Sequence, residues 1–215
     1  MSETQSVFWP GQVPEIVFNL QQLRALASSS RSNVFWAFSV QFPLSTAEVG
    51  QAIGKSPQSV RYHTNELLKC GLLVPVQTRK RRARIEEAYV IAGASVRSAP
   101  PPVPQEYLHE KRRGFQSIWR LLDRDRAAMN MLENADPSLG SVSNLYIVSP
   151  RLSPEHLPQF QREVALLLDK YAALDHEDGV RTRLVAFSCP THGETARQFR
   201  RTTGQALKLE GDSED

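Results

Sequence analysis

The sequence predicts a mainly helical α+β fold in two units, a basic N-terminal domain and a smaller C-terminal one. Three observations carry this. Two separately capped helices run into a charged hairpin between residues 44 and 92, four prolines cluster at 100–104, and helical and strand-like segments alternate after them.

The totals set the frame. At 215 residues the chain has room for one large domain or two small ones. No apolar run approaches the roughly 20 residues that span a bilayer. The first residues, MSETQSVFWPGQVPE, lack the basic start and apolar core of a secretion signal, so a cytoplasmic protein is expected, with no membrane partner. Two cysteines, Cys70 and Cys189, make no disulfide framework. The five histidines are scattered without metal-ligand spacing, and Cys189-Pro190-Thr191-His192 reads as a strand end followed by a turn. No metal or cofactor is expected.

In the first unit (15–94), apolar residues at Ile16, Leu20, Leu23 and Ala27 follow a helical spacing, and Val34 to Phe38 form a second short apolar helix. Ser45 with Glu48 three positions on makes a capping box. Val49, Ala52 and Ile53 supply the buried face of the helix that follows, and Gly54 ends it. Ser56 caps again, with Pro57 at the first helical position, where its missing N–H costs nothing. Two capped helices separated by so short a turn form a helix-turn-helix pattern. After Gly71, LLVPVQT and IEEAYVIA read as strands flanking RKRRAR, a basic hairpin in the position of a wing.

Charge is concentrated in this region. Residues 55–84 hold eight bases against one acid, Glu66, although the whole chain carries only +3. Concentrated positive charge points to a polyanionic partner. Five cations, Arg79, Lys80, Arg81, Arg82 and Arg84, fall within six residues at the hairpin tip, where they would lie along a nucleic-acid backbone. On the second helix Val60, His63 or Thr64, Leu67 and Leu68 face inward. Gln58, Ser59, Arg61, Tyr62, Asn65 and Lys69 face outward. Gln58 suits bidentate pairing with adenine and Arg61 with guanine. Ser56, Ser59 and Tyr62 suit phosphates. An ordinary solvated face is the other reading of Arg61 and Tyr62. His63 is expected as a core histidine and Cys70 as a buried thiol at the helix end.

Leu23-Arg24-Ala25-Leu26-Ala27, SSSRSNVFWAFS, PLSTAEVGQAIGKSPQSVRYHTNELLKCGLL and the hairpin with Tyr89 together resemble the winged helix-turn-helix of ArsR-type bacterial transcription regulators, over residues 15–93. The resemblance implies DNA binding. It does not imply metal sensing, because TAEVGQAIG lacks the cysteine pair of the family's metal sensors. Thr64 stands where the family has leucine.

The prolines of SVRSAPPPVP (95–104) are read as a linker. The C-terminal domain (105–190) is expected as helix, strand, helix, strand. Phe115, Ile118, Leu122, Met129 and Leu132 space the first helix. Residues 143–149 are strand-like, Leu157, Phe160, Val164, Leu167, Tyr171 and Leu174 space the second helix, and 180–188 form the second strand. Residues 191–215 are read as a tail. This C-terminal unit is expected to dimerise the protein and to be where any small-molecule effector would bind, and part of its apolar series is then a subunit interface.

The expected function is sequence-specific recognition of double-stranded DNA by a transcription regulator, a homodimeric repressor reading a palindromic operator. A winged-helix protein–protein adaptor without base-specific binding is the alternative. No Gly-rich phosphate loop, triad spacing or metal motif suggests an enzyme.

Overall fold

In the computed structural model of the chain, the described residues are 15–40, 42–81, 84–93, 95–139, 152–153, 156–174, 182–186 and 191–205. The fold is mixed α/β and mainly helical. It divides into two compact units, Met1–Val148 with Asp175–Arg181, and Ser149–Leu174 with Thr182–Asp215. Among the described residues no helix is long and apolar enough to cross a membrane.

The first unit begins with strand β1 (Glu15–Phe18), then helices α1 (Leu20–Leu26) and α2 (Ser29–Phe35). Ile16 therefore lies in a strand and does not open the first helix. Asn19 caps α1, its side chain accepting from Gln22 N while Gln22 Oε1 accepts from Asn19 N. The short strand β2 (Leu44–Ser45) leads into α3 (Thr46–Ile53). A three-residue turn then leads into α4 (Pro57–Lys69). The hairpin of β3 (Leu73–Arg81) and β4 (Arg84–Ile91) completes an antiparallel sheet in the order β2-β4-β3.

One core serves these elements. Val34, Phe35, Val49, Val60, Leu67, Leu72 and Leu73 are almost fully removed from solvent. Burying a side chain of this size contributes roughly 1.5–3 kcal/mol. Gln22 ties α1 to the end of α4, its Nε2 donating to the Cys70 carbonyl at 3.0 Å.

The expected boundary at 95–104 falls inside the first unit. Ser95–Ser98 form β5, parallel to β1 with Ile16 opposite Val96. The helix that follows, α5 (Gln105–Ala135), packs on α1 and α2. The Tyr107 hydroxyl clamps this corner: it donates to Phe18 O at 3.0 Å and accepts from Ala99 N at 2.7 Å. The prolines thus make a bend between a strand and a helix of one body.

The face of α5 turned to that body is Tyr107, Glu110, Ser117 and Leu121, not the expected series through Phe115 and Leu132, which are 41% and 51% exposed. Small Ser117 permits close approach, and buried Glu110 accepts from Arg113 Nη1 at 3.0 Å. A single 3-10 turn, Pro137–Leu139, follows.

In the second unit, α6 (His156–Ala172) matches the expected helix, yet none of its residues is buried. The strand expected at 180–188 is not formed over 182–186, where the backbone has no regular structure, and residues 143–149 lie outside the described residues. Part of the expected tail is a helix, α7 (His192–Thr203), capped by Thr191.

Candidate nucleic-acid interface

Helix α4 is built to present one face. Ser56 Oγ accepts from Ser59 N at 3.3 Å, so this hydroxyl serves first as the helix cap. Upstream, Ser45 and Glu48 close the reciprocal capping box of α3, and Gly54 leaves that helix at φ 64°, a left-handed conformation that favours glycine. Gly50 answers a second constraint. A β-carbon there would meet the Lys55 carbonyl oxygen at 2.7 Å. The turn can fold back on α3 only because that atom is missing, and Lys55 N donates to Gly50 O at 2.8 Å.

At about 100° per residue, Gln58, Arg61, Tyr62, Asn65 and Lys69 share an arc of about 100° on α4. All five are exposed, as is Ser56, while Ser59 is half-buried. Tyr62 is the largest protrusion, 62% exposed, with its ring edge-on to His63 at 5.2 Å. The opposite face holds Val60, Thr64 and Leu67, all fully buried.

This sharpens the choice between His63 and Thr64. Thr64 takes the core position, and its hydroxyl is buried with no hydrogen-bond partner. His63 lies at the flank, half-buried, with Nδ1 buried and unpartnered. Burial first, then the nearby Arg31 cation, holds its pKa below the ordinary imidazole value. Cys70 is buried as expected, Sγ lying 3.3 Å from the Glu66 and Leu67 carbonyls, and burial pushes its thiol up.

Lys69 is the weakest member of the expected set. It stands at the far end of α4, about 16 Å along the axis from Gln58. Its ammonium also donates to Glu66 at 2.6 Å. Gln58, Arg61, Tyr62 and Asn65 are thus the exposed residues nearer the start of α4, within its first two and a half turns.

The hairpin register places the cations of residues 79–84. Pairing extends from Leu73↔Ile91 to Arg81↔Arg84, with Arg79 opposite Glu86 and Lys80 opposite Ile85. Arg79, Lys80, Arg81 and Arg84 thus occupy the distal end of both strands, and Arg82 lies outside the described residues. Glu86 and Glu87, just past the charged run, temper its base. Glu87 accepts from the Tyr89 hydroxyl at 2.7 Å, and burial together with that carboxylate pushes the Tyr89 phenol up to about 12.

One cation escaped the sequence reading. Arg31, on α2, bears on His63 at the flank of α4, as does Lys55, exposed in the turn and already counted in the basic block. Arg31 also lines a shallow cavity of about 220 Å³ behind α4, with Arg24, Lys69 and Cys70. Nothing in the spacing of α2 marks Arg31, because its neighbourhood is made by the fold. Among the described residues there is no group of three or more side chains that could hold a metal.

Set against known proteins, the chain matches no protein-family model and no curated relative.

Proposed function

We propose that residues 15–94 form a winged helix-turn-helix that binds double-stranded DNA sequence-specifically, in a homodimeric transcription regulator acting as a repressor. The observation that carries this reading is the outward face of α4. A helix packed on α3 and held by its own cap exposes Gln58, Arg61, Tyr62 and Asn65 within its first two and a half turns, and a hairpin with a cationic tip follows it. Helix-turn-helix domains read base edges with the N-terminal part of the second helix, which enters the major groove. Gln58 and Arg61 are the base readers, each worth roughly 1–3 kcal/mol of discrimination. Tyr62, Ser59 and the wing cations hold the backbone and set the register. The resemblance of this segment to ArsR-type regulators points the same way.

Fluorescence anisotropy with generic duplex DNA tests the electrostatic part. Binding that weakens steeply with salt supports it, and no binding at low salt overturns it. Ile85 favours the adaptor reading, being 75% exposed at the wing among the cations. A single exposed isoleucine is common on protein surfaces, so it does not outweigh the charge.

A further inference from the structure

Helix α6 is amphipathic, yet it buries no residue. Leu157, Phe160, Val164, Leu167 and Tyr171, with Leu174 just past the helix end, keep an unbroken 3-4-3-4-3 spacing. That is the spacing of a heptad seam. Phe160, Leu167, Tyr171 and Leu174 are 41–65% exposed, and Leu157 and Val164 are half-buried. A helix of this length is marginal alone in water and takes its stability from packing an apolar face. The seam has the form that a facing helix packs into.

We propose that this seam is covered by α6 of a second copy, packed antiparallel, with the two-fold axis crossing beside Ala165 and Leu166. About that axis Val164 stands level with Leu167 of the copy, Phe160 with Tyr171 and Leu157 with Leu174. Every layer then joins two apolar side chains. The charges agree with this orientation. Glu163 and Lys170 flank the seam on one side, and the antiparallel pair sets Glu163 of each copy beside Lys170 of the other. Arg162 falls level with Asp169 of the copy on the outer side, so no like charges stand level within α6. Glu163 accepts from Gln159 Nε2 at 2.9 Å through one oxygen, and Lys170 Nζ lies 5.6 Å from the neighbouring Tyr171 ring. Both side chains stay exposed. A parallel pair would instead set Glu163 across the seam from Leu168, with no counter-charge. Charges flanking a helix seam set its orientation in this way.

The area is adequate. Large side chains that are half exposed each offer on the order of 100 Å². Four from each copy, with the open parts of Leu157 and Val164, bring about 1,000 Å², the threshold of a specific interface.

The inference rests on the homodimer part of the reading above and is independent of DNA binding. Phe160→Cys and Tyr171→Cys chains test it without DNA, made singly and co-expressed, with the unsubstituted chain setting the background from Cys70 and Cys189. In the antiparallel pair each single cysteine lies about 16 Å along the axis from its own copy, beyond disulfide reach. The expected result is twice the chain mass by sedimentation equilibrium, and a disulfide-linked dimer above background only in the co-expressed sample. Leu167→Asp is expected to raise the dimer dissociation constant at least about tenfold with its far-UV spectrum unchanged. Glu163→Lys should also weaken the dimer, and adding Lys170→Glu should restore it. A monomeric wild type overturns both the interface and the homodimer reading. A dimer with cross-links in each single variant overturns the orientation, and a dimer with none, unaffected by Leu167→Asp, overturns the choice of α6 alone. Cross-linking confined to the co-expressed sample, in a protein that binds no DNA, would sustain this interface and sink the DNA reading.

Discussion

Substituting alanine for a glycine inside a helix ordinarily stabilises a protein, by about 0.5–1 kcal/mol. At Gly50 the structure reverses the sign. The new methyl would stand 2.7 Å from Lys55 O, where ordinary contact begins at 3.4 Å, an overlap of 0.7 Å with a backbone atom that no rotamer change can move aside. Relief requires the turn between α3 and α4 to shift, at a typical overpacking cost of about 1–3 kcal/mol. It also strains the hydrogen bond from Lys55 N to Gly50 O, a contribution of about 1 kcal/mol. Against this stands about 1 kcal/mol of helix propensity gained. The net expectation for Gly50→Ala is a loss of about 1–3 kcal/mol. Gly114, in the interior of α5, is the internal control: nothing lies within 4 Å of its β-position, so Gly114→Ala should stabilise. Urea unfolding of both variants against wild type reads the two signs together, in the midpoint at constant slope. A Gly50→Ala protein as stable as wild type would refute the packing argument for the turn.

Other perturbations follow from the same site. Thr64→Val removes a fully buried, unpartnered hydroxyl at nearly constant volume and should stabilise by about 1 kcal/mol in the same assay. His63, whose folded pKa lies below its free value of 6.5, favours folding fully above that pH. This contribution is lost as pH falls through 6.5 towards the folded value, because the unfolded chain then takes up the proton more readily. His63→Gln should flatten that acid limb of a stability–pH profile, and an unchanged limb would contradict the assignment. Replacing Arg79, Lys80, Arg81, Arg82 and Arg84 by glutamine should flatten the slope of log affinity against log salt by about 0.9 for each phosphate no longer neutralised, so an unaltered slope would remove the wing from the interface.

The parts legible in the sequence were those specified by local chemistry. Ser45 with Glu48 and Ser56 with Pro57 mark helix starts that need no distant partner, and the phase of α4 separates Val60 and Leu67 from Arg61 and Tyr62 within a few turns. What stayed hidden was specified at a distance. Strand β1 is four residues that pair with β5 some eighty positions later, so Ile16 resembled part of a helix. The prolines resembled a linker because the clamp of Tyr107 on Phe18 and Ala99 cannot be seen along the chain. In α5 the packed face includes Glu110 and Ser117, and an apolar count passes over both in favour of the outer stripe. Helix α7 carries its signal in the Thr191 cap and a charged surface, with too few apolar residues to show a period. At the candidate site, the exposed residues of α4 were readable from helical phase. The approach of Arg31, on α2, to His63 needed the fold.

The central claim is that the N-terminal part of α4 reads bases. Selection of bound sequences from a random duplex pool, with wild type and Arg61→Ala run in parallel, tests it most directly. The account predicts a palindromic site from the wild type, with a guanine in each half whose preference collapses in Arg61→Ala, a loss of about 1–3 kcal/mol at that position alone. A pool that enriches no sequence, or a site unchanged by Arg61→Ala, would contradict it.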